Sequence, residues 1–154
     1  MYFGLFEEWV LSLSSEVGYI QPLGRDVAIN NRFFLGGDTL RGFEAGGVGP
    51  RDRRTDDSLG GNTFARGTVE VSFPVGLPRE LGVTGHAFSD AGTLFDTDSK
   101  GSEVADQASL RVSAGLGLSW RSPLGPLRVD VALPILKKSY DETEPFRFSF
   151  GTRF

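Results

Sequence analysis

The sequence predicts an all-β protein built from antiparallel strands of a transmembrane β-barrel. Three observations lead to this fold class. The chain has 21 glycines and 13 phenylalanines but a single methionine among 154 residues, which favours turns and pleated surfaces over helices. Apolar and polar residues alternate strictly over long stretches. Short connections alternate with long polar ones, as in barrels that have short turns on one side of a membrane and long loops on the other.

The alternation defines about six strands, at residues 8–20, 63–74, 82–95, 107–121, 126–134 and 145–154. In the first, Trp9, Leu11 and Leu13 share one parity with later apolar residues. The fourth strand shows the strongest contrast: every second residue is apolar, and serine, glycine and arginine fill the other parity. The fifth follows it across a short turn, which predicts a hairpin. The last strand places four phenylalanines on one face, at Phe146, Phe148, Phe150 and Phe154.

The lengths of the connections separate two ends of the predicted sheet. Residues 75–81 and 122–125 form short turns, whereas 21–62, 96–106 and 135–144 form longer polar loops. Alternation alone does not distinguish a barrel from a soluble β-sandwich. The apolar rows, however, run over five or six consecutive positions with aromatic residues near their ends, and the opposite parity carries several arginines and carboxylates. This distribution favours a lipid-facing surface and a wet interior.

Composition excludes several classes of function. The absence of cysteine excludes disulfides, thiolate metal sites and cysteine nucleophiles. A net charge of -4 with scattered arginines gives no support to a nucleic-acid partner. The single histidine, His86, supplies neither a metal site nor a catalytic triad. No apolar run approaches the ~18 residues of a spanning helix, and no signal-peptide pattern is retained at the amino terminus. We therefore expect no cofactor, no metal and no enzymatic activity.

Six blocks of sequence, in order and at the appropriate spacing, resemble one family. They are "RFFLGGDTLRGF", "VGPRD", "GGNTFARGTVEVSFPVGLP", "AFSDAGTLFD", "LRVSAGLGLSWRSPLGPLRVDVALPI" and "FRFSFGTRF". Together they are similar to the carboxy-terminal part of the sixteen-stranded barrel of the BamA family of outer-membrane protein assembly factors, within the bacterial surface antigen family. The blocks look alphaproteobacterial. The resemblance covers residues from about Glu8 to Phe154 and implies localisation in the outer membrane of a Gram-negative bacterium.

The resemblance gives the glycine-rich segment a role. It implies that residues 30–62 form a loop folded into the barrel interior, with a tip at Leu40, Arg41, Gly42 and Phe43. The implied partners of the tip on the barrel wall are Glu70 and Asp90. A confined arginine needs such carboxylates, because an unpaired buried charge is costly. If Asp90 faces the interior, so do His86 and Phe88, which leaves a thin apolar face of Val83, Gly85, Ala87 and Ala91.

The last strand has a second meaning by resemblance. Its aromatic row, Phe146, Phe148, Phe150 and Phe154, is similar to the carboxy-terminal sorting signal that assembly machinery reads by strand addition. Lipid-facing packing explains the same residues, and the two interpretations are compatible.

The resemblance also sets expectations about what accompanies this chain. Complete members have periplasmic domains and ten further strands, and we expect neither within residues 1–154. Fewer than ~8 strands leave open edges in lipid, so other copies or the missing strands would have to close the sheet. The implied partners are lipid, nascent outer-membrane proteins and assembly-machinery subunits. We expect this chain to lack full insertase activity. The alternative is an autonomous small oligomeric barrel that acts as a pore or structural protein.

Overall fold

The computed structural model describes residues 1–6, 8–98, 101 and 103–151. Within that part of the chain, no helix is long and apolar enough to cross a membrane. The described ranges include single-turn 3-10 helices at Ile29–Asn31 and Arg79–Leu81. The strands in chain order are β1 (Tyr2–Phe6), β2 (Trp9–Tyr19), β3 (Gly42–Phe43), β4 (Arg51–Asp52), β5 (Thr63–Pro74), β6 (Val83–Phe95), β7 (Val104–Ala105), β8 (Arg111–Ser122), β9 (Gly125–Leu136), β10 (Thr143–Glu144) and β11 (Phe146–Phe150).

Seven of these strands form one antiparallel sheet in the order β1-β2-β5-β6-β8-β9-β11. The all-β antiparallel fold class is thus confirmed, and the six predicted strands all lie in this sheet. The seventh, β1, pairs with β2 through Tyr2↔Ser12 and Phe3↔Leu11 and was not predicted. Among the described residues, β1 and β11 each have one neighbour, so that the sheet is open with two free edges.

One face of the sheet, which we call the apolar face, exposes large hydrophobic side chains. Leu116, Leu118, Val131 and Leu133 are between 51% and 63% exposed although they lie in the middle of paired strands. Phe146, Phe148 and Phe150 continue this surface on β11, at 58% to 64% exposure. A contiguous exposed apolar surface of this kind needs a nonpolar environment, and a lipid bilayer supplies one.

The other face, which we call the loop-covered face, carries the segment between β2 and β5. Leu35, Leu40, Phe43 and Val48 of this segment are at most 2% exposed and pack against Phe64 of β5 and Leu94 of β6. The hydrophobic core therefore lies between loop and sheet. Two short ribbons extend the loop sideways: β3 pairs with β10, and β4 pairs with β7.

The structure settles the direction of the side chains of β6. His86, Phe88, Asp90 and Leu94 are at most 5% exposed, on the loop-covered face. Val83, Gly85, Ala87 and Ala91 therefore lie on the apolar face. This face is thin in apolar area at β6, as the sequence suggested, and neighbouring side chains cover part of it. A Cβ added at Gly85 would lie 2.6 Å from a ring carbon of Phe73 on β5, because that ring already covers the glycine.

Candidate functional site

The tip of the loop reaches the centre of the sheet because Gly42 permits a sharp turn there. Gly42 has φ +90°, a conformation that side chains rarely adopt. A Cβ at this position would lie 3.2 Å from the Cβ of Ser113 and 3.3 Å from that of Ala132, so the backbone also approaches the sheet closely. The residues on either side, Arg41 and Phe43, are 6% and 0% exposed. The glycine thus brings the arginine and the phenylalanine onto the wall together.

Arg41 is held by two carboxylates of the wall. Its Nε and Nη2 donate to Oδ2 and Oδ1 of Asp90, each at 2.7 Å, and its backbone N–H donates to Oδ2 at 3.1 Å. Its Nη1 donates to Oε2 of Glu70 at 2.7 Å. The bond pair to Asp90 is bidentate, the geometry that combines charge with directional fit. Of the predicted site residues, the structure therefore brings Arg41, Glu70 and Asp90 into direct contact.

The guanidinium of Arg41 also stacks on an aromatic ring of the wall, that of Phe88. The Cζ of Arg41 lies 3.4 Å from the ring centroid of Phe88, close enough for a cation–π interaction. The cross-strand neighbour of Phe88 on β8 is Gly115. A Cβ added to Gly115 would lie 2.6 Å from Cζ of Phe88. The missing side chain on β8 thus creates the space in which ring and guanidinium stack.

The network continues from Glu70 toward β9. Arg128 donates to both carboxylate oxygens of Glu70, through Nη1 at 3.2 Å and Nη2 at 2.8 Å. The Nε of Arg128 donates to Oδ2 of Asp130 at 2.9 Å. On its other side, Oδ1 of Asp130 lies 2.6 Å from Nε2 of His86. Glu70 is therefore shared by two guanidiniums, whereas Asp90 depends mainly on Arg41.

A second glycine of β8 allows the histidine to meet its carboxylate. His86 on β6 and Asp130 on β9 both lie directly opposite Gly117, one on each side. Strands are about 4.8 Å apart, so the two side chains must bridge about twice that distance across β8. A Cβ at Gly117 would lie 2.1 Å from Oδ1 of Asp130 and 2.3 Å from Nε2 of His86. Only a glycine leaves this route open.

The charges of the site favour a permanently cationic tip. Burial by itself would lower the pKa of the Arg41 guanidinium, but hydrogen bonds and Coulombic attraction to Asp90 and Glu70 raise that pKa above its ordinary value. The partners therefore favour the charged form of the arginine. The arrangement provides a fixed ionic anchor between a loop and three strands.

A second anchor lies on the side of β10. Arg51 donates through Nη2 to Oε2 of Glu142 at 3.0 Å, and its Nη1 lies 2.9 Å from Oε1. The hydrogen bond and charge of Arg51 lower the pKa of the Glu142 carboxyl. Backbone bonds run from Glu44 N to Glu142 O at 3.1 Å and from Glu142 N to Gly47 O at 3.0 Å. The loop is therefore also fastened to the segment that leads into β11.

A third anchor on the loop-covered face is the ion pair between Arg111 and Asp141. Nε and Nη2 of Arg111 donate to Oδ2 and Oδ1 of Asp141, each at 3.0 Å, and both side chains are fully buried. Oδ2 of Asp141 also accepts from the backbone N–H of Lys138 at 2.6 Å. This pair fixes the loop between β9 and β11 to the start of β8.

The remaining predicted residues lie apart from the Arg41 network. Leu40 and Phe43 are fully buried in the core between loop and sheet. Phe146, Phe148 and Phe150 point to the apolar face of the edge strand β11, and Phe154 lies outside the described residues.

Sequence reasoning did not assign site roles to Arg128, Asp130, His86, Arg111 and Asp141. Alternation placed the first four on the polar or wall parity. Which of these side chains contact each other depends on the register of the strands, and alternation does not give that register. Among the described residues, no group of three or more histidines and carboxylates is placed to hold a metal ion.

Comparison with known proteins agrees with this geometry. A family model described as the Omp85 superfamily domain matches residues 1–154. The outer membrane protein assembly factor BamA of Neorickettsia risticii (strain Illinois) is 44% identical over 146 residues, covering 94% of this chain and 20% of that protein. The factor of the same name from Neisseria meningitidis serogroup B is 32% identical over 180 residues, covering 99% of this chain and 23% of that protein.

A solved structure shows the same arrangement of strands. The crystal structure of BamA from Haemophilus ducreyi lacking POTRA domains 1-3 matches with a TM-score of 0.82 and 29% identity, covering 96% of this chain and 32% of that one. The open sheet described above is thus similar to part of a larger barrel. The chain spans about a fifth of the length of the curated relatives it matches.

Proposed function

The chain belongs to the Omp85 superfamily, and from this premise we propose that it forms part of the barrel wall, with the interior loop, of an outer-membrane protein assembly factor. The similar proteins place it in the outer membrane of a Gram-negative bacterium. The whole factor would fold and insert β-barrel proteins into that membrane without catalysing a covalent reaction. The observation that carries this proposal is the loop itself: Arg41 fastens it to Asp90 and Glu70 on the wall.

In this proposal the loop stabilises the barrel wall. The wall has to keep its structure while substrate proteins fold at an edge of the sheet. The Arg41 network joins β5, β6 and β9 through ion pairs, of which the Arg41–Asp90 pair is buried and the Arg128–Glu70 pair is partly exposed. Two edges remain free in the described sheet, and backbone groups at such edges pair readily with another strand. Lipid, further copies or missing barrel strands, nascent outer-membrane proteins and assembly-machinery subunits are the partners that this arrangement would meet.

We expect the chain by itself to lack full insertase activity, because it corresponds to about a fifth of its relatives. A chimera tests this. Residues 1–154 would replace the matching segment of the Neorickettsia risticii relative, to which they are 44% identical. The chimera and the chain alone would be reconstituted in liposomes, and the folding rate of an added, urea-unfolded β-barrel protein would be measured by heat-modifiable gel migration.

The proposal expects the chimera to accelerate folding over empty liposomes and the chain alone not to. A folded chimera without acceleration would contradict it. Ion conductance by the chain alone, without acceleration, would support the alternative of an autonomous oligomeric pore. The tightly packed loop argues against an open pore, since Leu40, Phe43 and Val48 leave almost no accessible surface where they meet the wall.

A further inference from the structure

Beyond the anchor at Arg41, the tip of the loop has a second attachment, to the edge strand β11. Arg147 of β11 lies on the loop-covered face, directly opposite Asp130 of β9. Its side-chain hydrogen bonds go to two other carboxylates. Nη1 donates to Oδ1 of Asp38 in the loop at 3.4 Å, and Nη2 pairs with Glu144, three residues earlier. Arg147 therefore joins the last described strand to a loop residue three positions before Arg41.

The surrounding backbone makes this attachment close. A Cβ at Gly37 would lie 3.3 Å from Nη2 of Arg147, so the loop rests directly on the guanidinium. Glu144, the other partner of Arg147, belongs to β10, whose ribbon with β3 pairs Glu144 with Gly42. The residues just before β11 and the residues just after Arg41 are thus neighbours in one small ribbon.

The attachment is also weaker than the anchor at Arg41. Asp38 is 55% exposed at its side chain, and the buried Nε of Arg147 has no hydrogen-bond partner among the described residues. A partly exposed pair contributes modestly and is easily exchanged, whereas the buried Arg41 pairs are not. The loop tip therefore has one strong fastening, to β5 and β6, and one weak fastening, to β11.

We propose that Arg147 is a positioning residue that couples the edge strand β11 to the loop tip, so that displacing β11 loosens the tip and releasing the tip loosens β11. This inference rests on the proposed function for its biological meaning. A displacement of β11, which borders a free edge, would change how firmly the loop that stabilises the wall is held. Such coupling is reciprocal by thermodynamic necessity.

A cysteine reporter tests the coupling. Residues 1–154 contain no cysteine, so Val48→Cys introduces a single thiol into them, at a position that is 1% exposed when the loop is in place. Its reaction rate with a water-soluble maleimide would be measured in outer membranes from cells that make the protein. Arg147→Gln and Asp38→Asn should each raise that rate by roughly 5-fold, and the double variant by no more than either single one, since each removes one charge of the same ion pair.

The matched control is Arg121→Gln. It removes an arginine of β8 that also lies at a position of the loop-covered face but is away from the loop, and it should leave the labelling rate at position 48 unchanged. Reciprocity is measured with a second reporter, Ser149→Cys on β11. Arg41→Lys should raise labelling there as well. If Arg147→Gln leaves the thiol at position 48 as protected as before, or if the effects of Arg147→Gln and Asp38→Asn multiply, the coupling is refuted.

Labelling and assembly activity separate this inference from the proposed function. Coupled labelling in a protein that assembles no substrate would refute the function and keep the coupling. Normal assembly activity without coupled labelling would refute the coupling and keep the proposed function.

Discussion

Replacing Arg41 with alanine is the most informative perturbation of the site. It removes three charged side-chain hydrogen bonds at 2.7 Å, to Asp90 and Glu70, from a place where the arginine is 6% exposed. The losses are unequal. Glu70 retains two bonds from Arg128, whereas Asp90 retains the backbone N–H of position 41. The free-energy cost is therefore concentrated on one buried carboxylate.

Breaking a buried pair by removing one partner costs about 3–5 kcal/mol, and the retained bonds of Glu70 favour the lower end of that range. A loss of about 3 kcal/mol raises the equilibrium for loop opening on the order of 100-fold. Adding Asp90→Asn to Arg41→Ala should recover part of the loss, because the orphaned carboxylate then carries no charge. Arg41→Lys should fall between wild type and alanine, since an ammonium cannot form the bidentate pair with Asp90.

Hydrogen exchange followed by mass spectrometry measures the opening directly. The amides of Gly37, Glu44 and Val48 are bonded to Phe43, Glu142 and Leu35 when the loop is in place. Their exchange should accelerate on the order of 100-fold in Arg41→Ala while the central amides of β5 and β6 change little. Unchanged exchange at these amides would refute the reasoning, because the loop would then be held by contacts other than Arg41.

Three further predictions concern other parts of the structure. Gly117→Ala places a Cβ 2.1 Å from Oδ1 of Asp130 and should destabilise the sheet by about 1–3 kcal/mol in urea unfolding, whereas Gly67→Ala, with only a backbone oxygen at 3.6 Å, should not. The lowered pKa of Glu142 implies stabilisation that is fully present above the ordinary glutamate pKa and is lost as pH falls through the lowered one; unfolding midpoints of wild type and Glu142→Gln should therefore converge at acidic pH. Phe148→Ala, at a 58% exposed position, should leave detergent-solubilised stability nearly unchanged but reduce recovery in outer membranes if the terminal aromatic row is a sorting signal.

Alternation identified the main strands because each of them has one apolar and one polar face. The sequence predicted residues 63–74 and 82–95, and the structure has Thr63–Pro74 and Val83–Phe95. It did not predict Tyr2–Phe6, where apolar residues occupy both parities and no period of two is visible. Strand periodicity therefore detects a strand only where its two faces meet different surroundings.

The contacts of the site were less accessible to sequence reasoning. The pairing of Arg41 with Glu70 and Asp90 was expected from resemblance to a family, since nothing in the local pattern relates position 41 to position 90. The bond between His86 and Asp130 depends on register across three strands and on an absent side chain at Gly117. Register is a property of the assembled sheet, and a glycine looks the same in sequence whether it provides flexibility or space.

The alternation of glycine and leucine along β8, at Gly115, Leu116, Gly117 and Leu118, imposes different limits on its two faces. On the apolar face, where the leucines are 52% and 63% exposed, many oily side chains would serve equally well. On the opposite face the volume above each glycine is already occupied by groups belonging to β6 and β9. Natural variation in this strand should accordingly be confined to every second position, and a segment that looks pliable in composition would be among the least permissive to change.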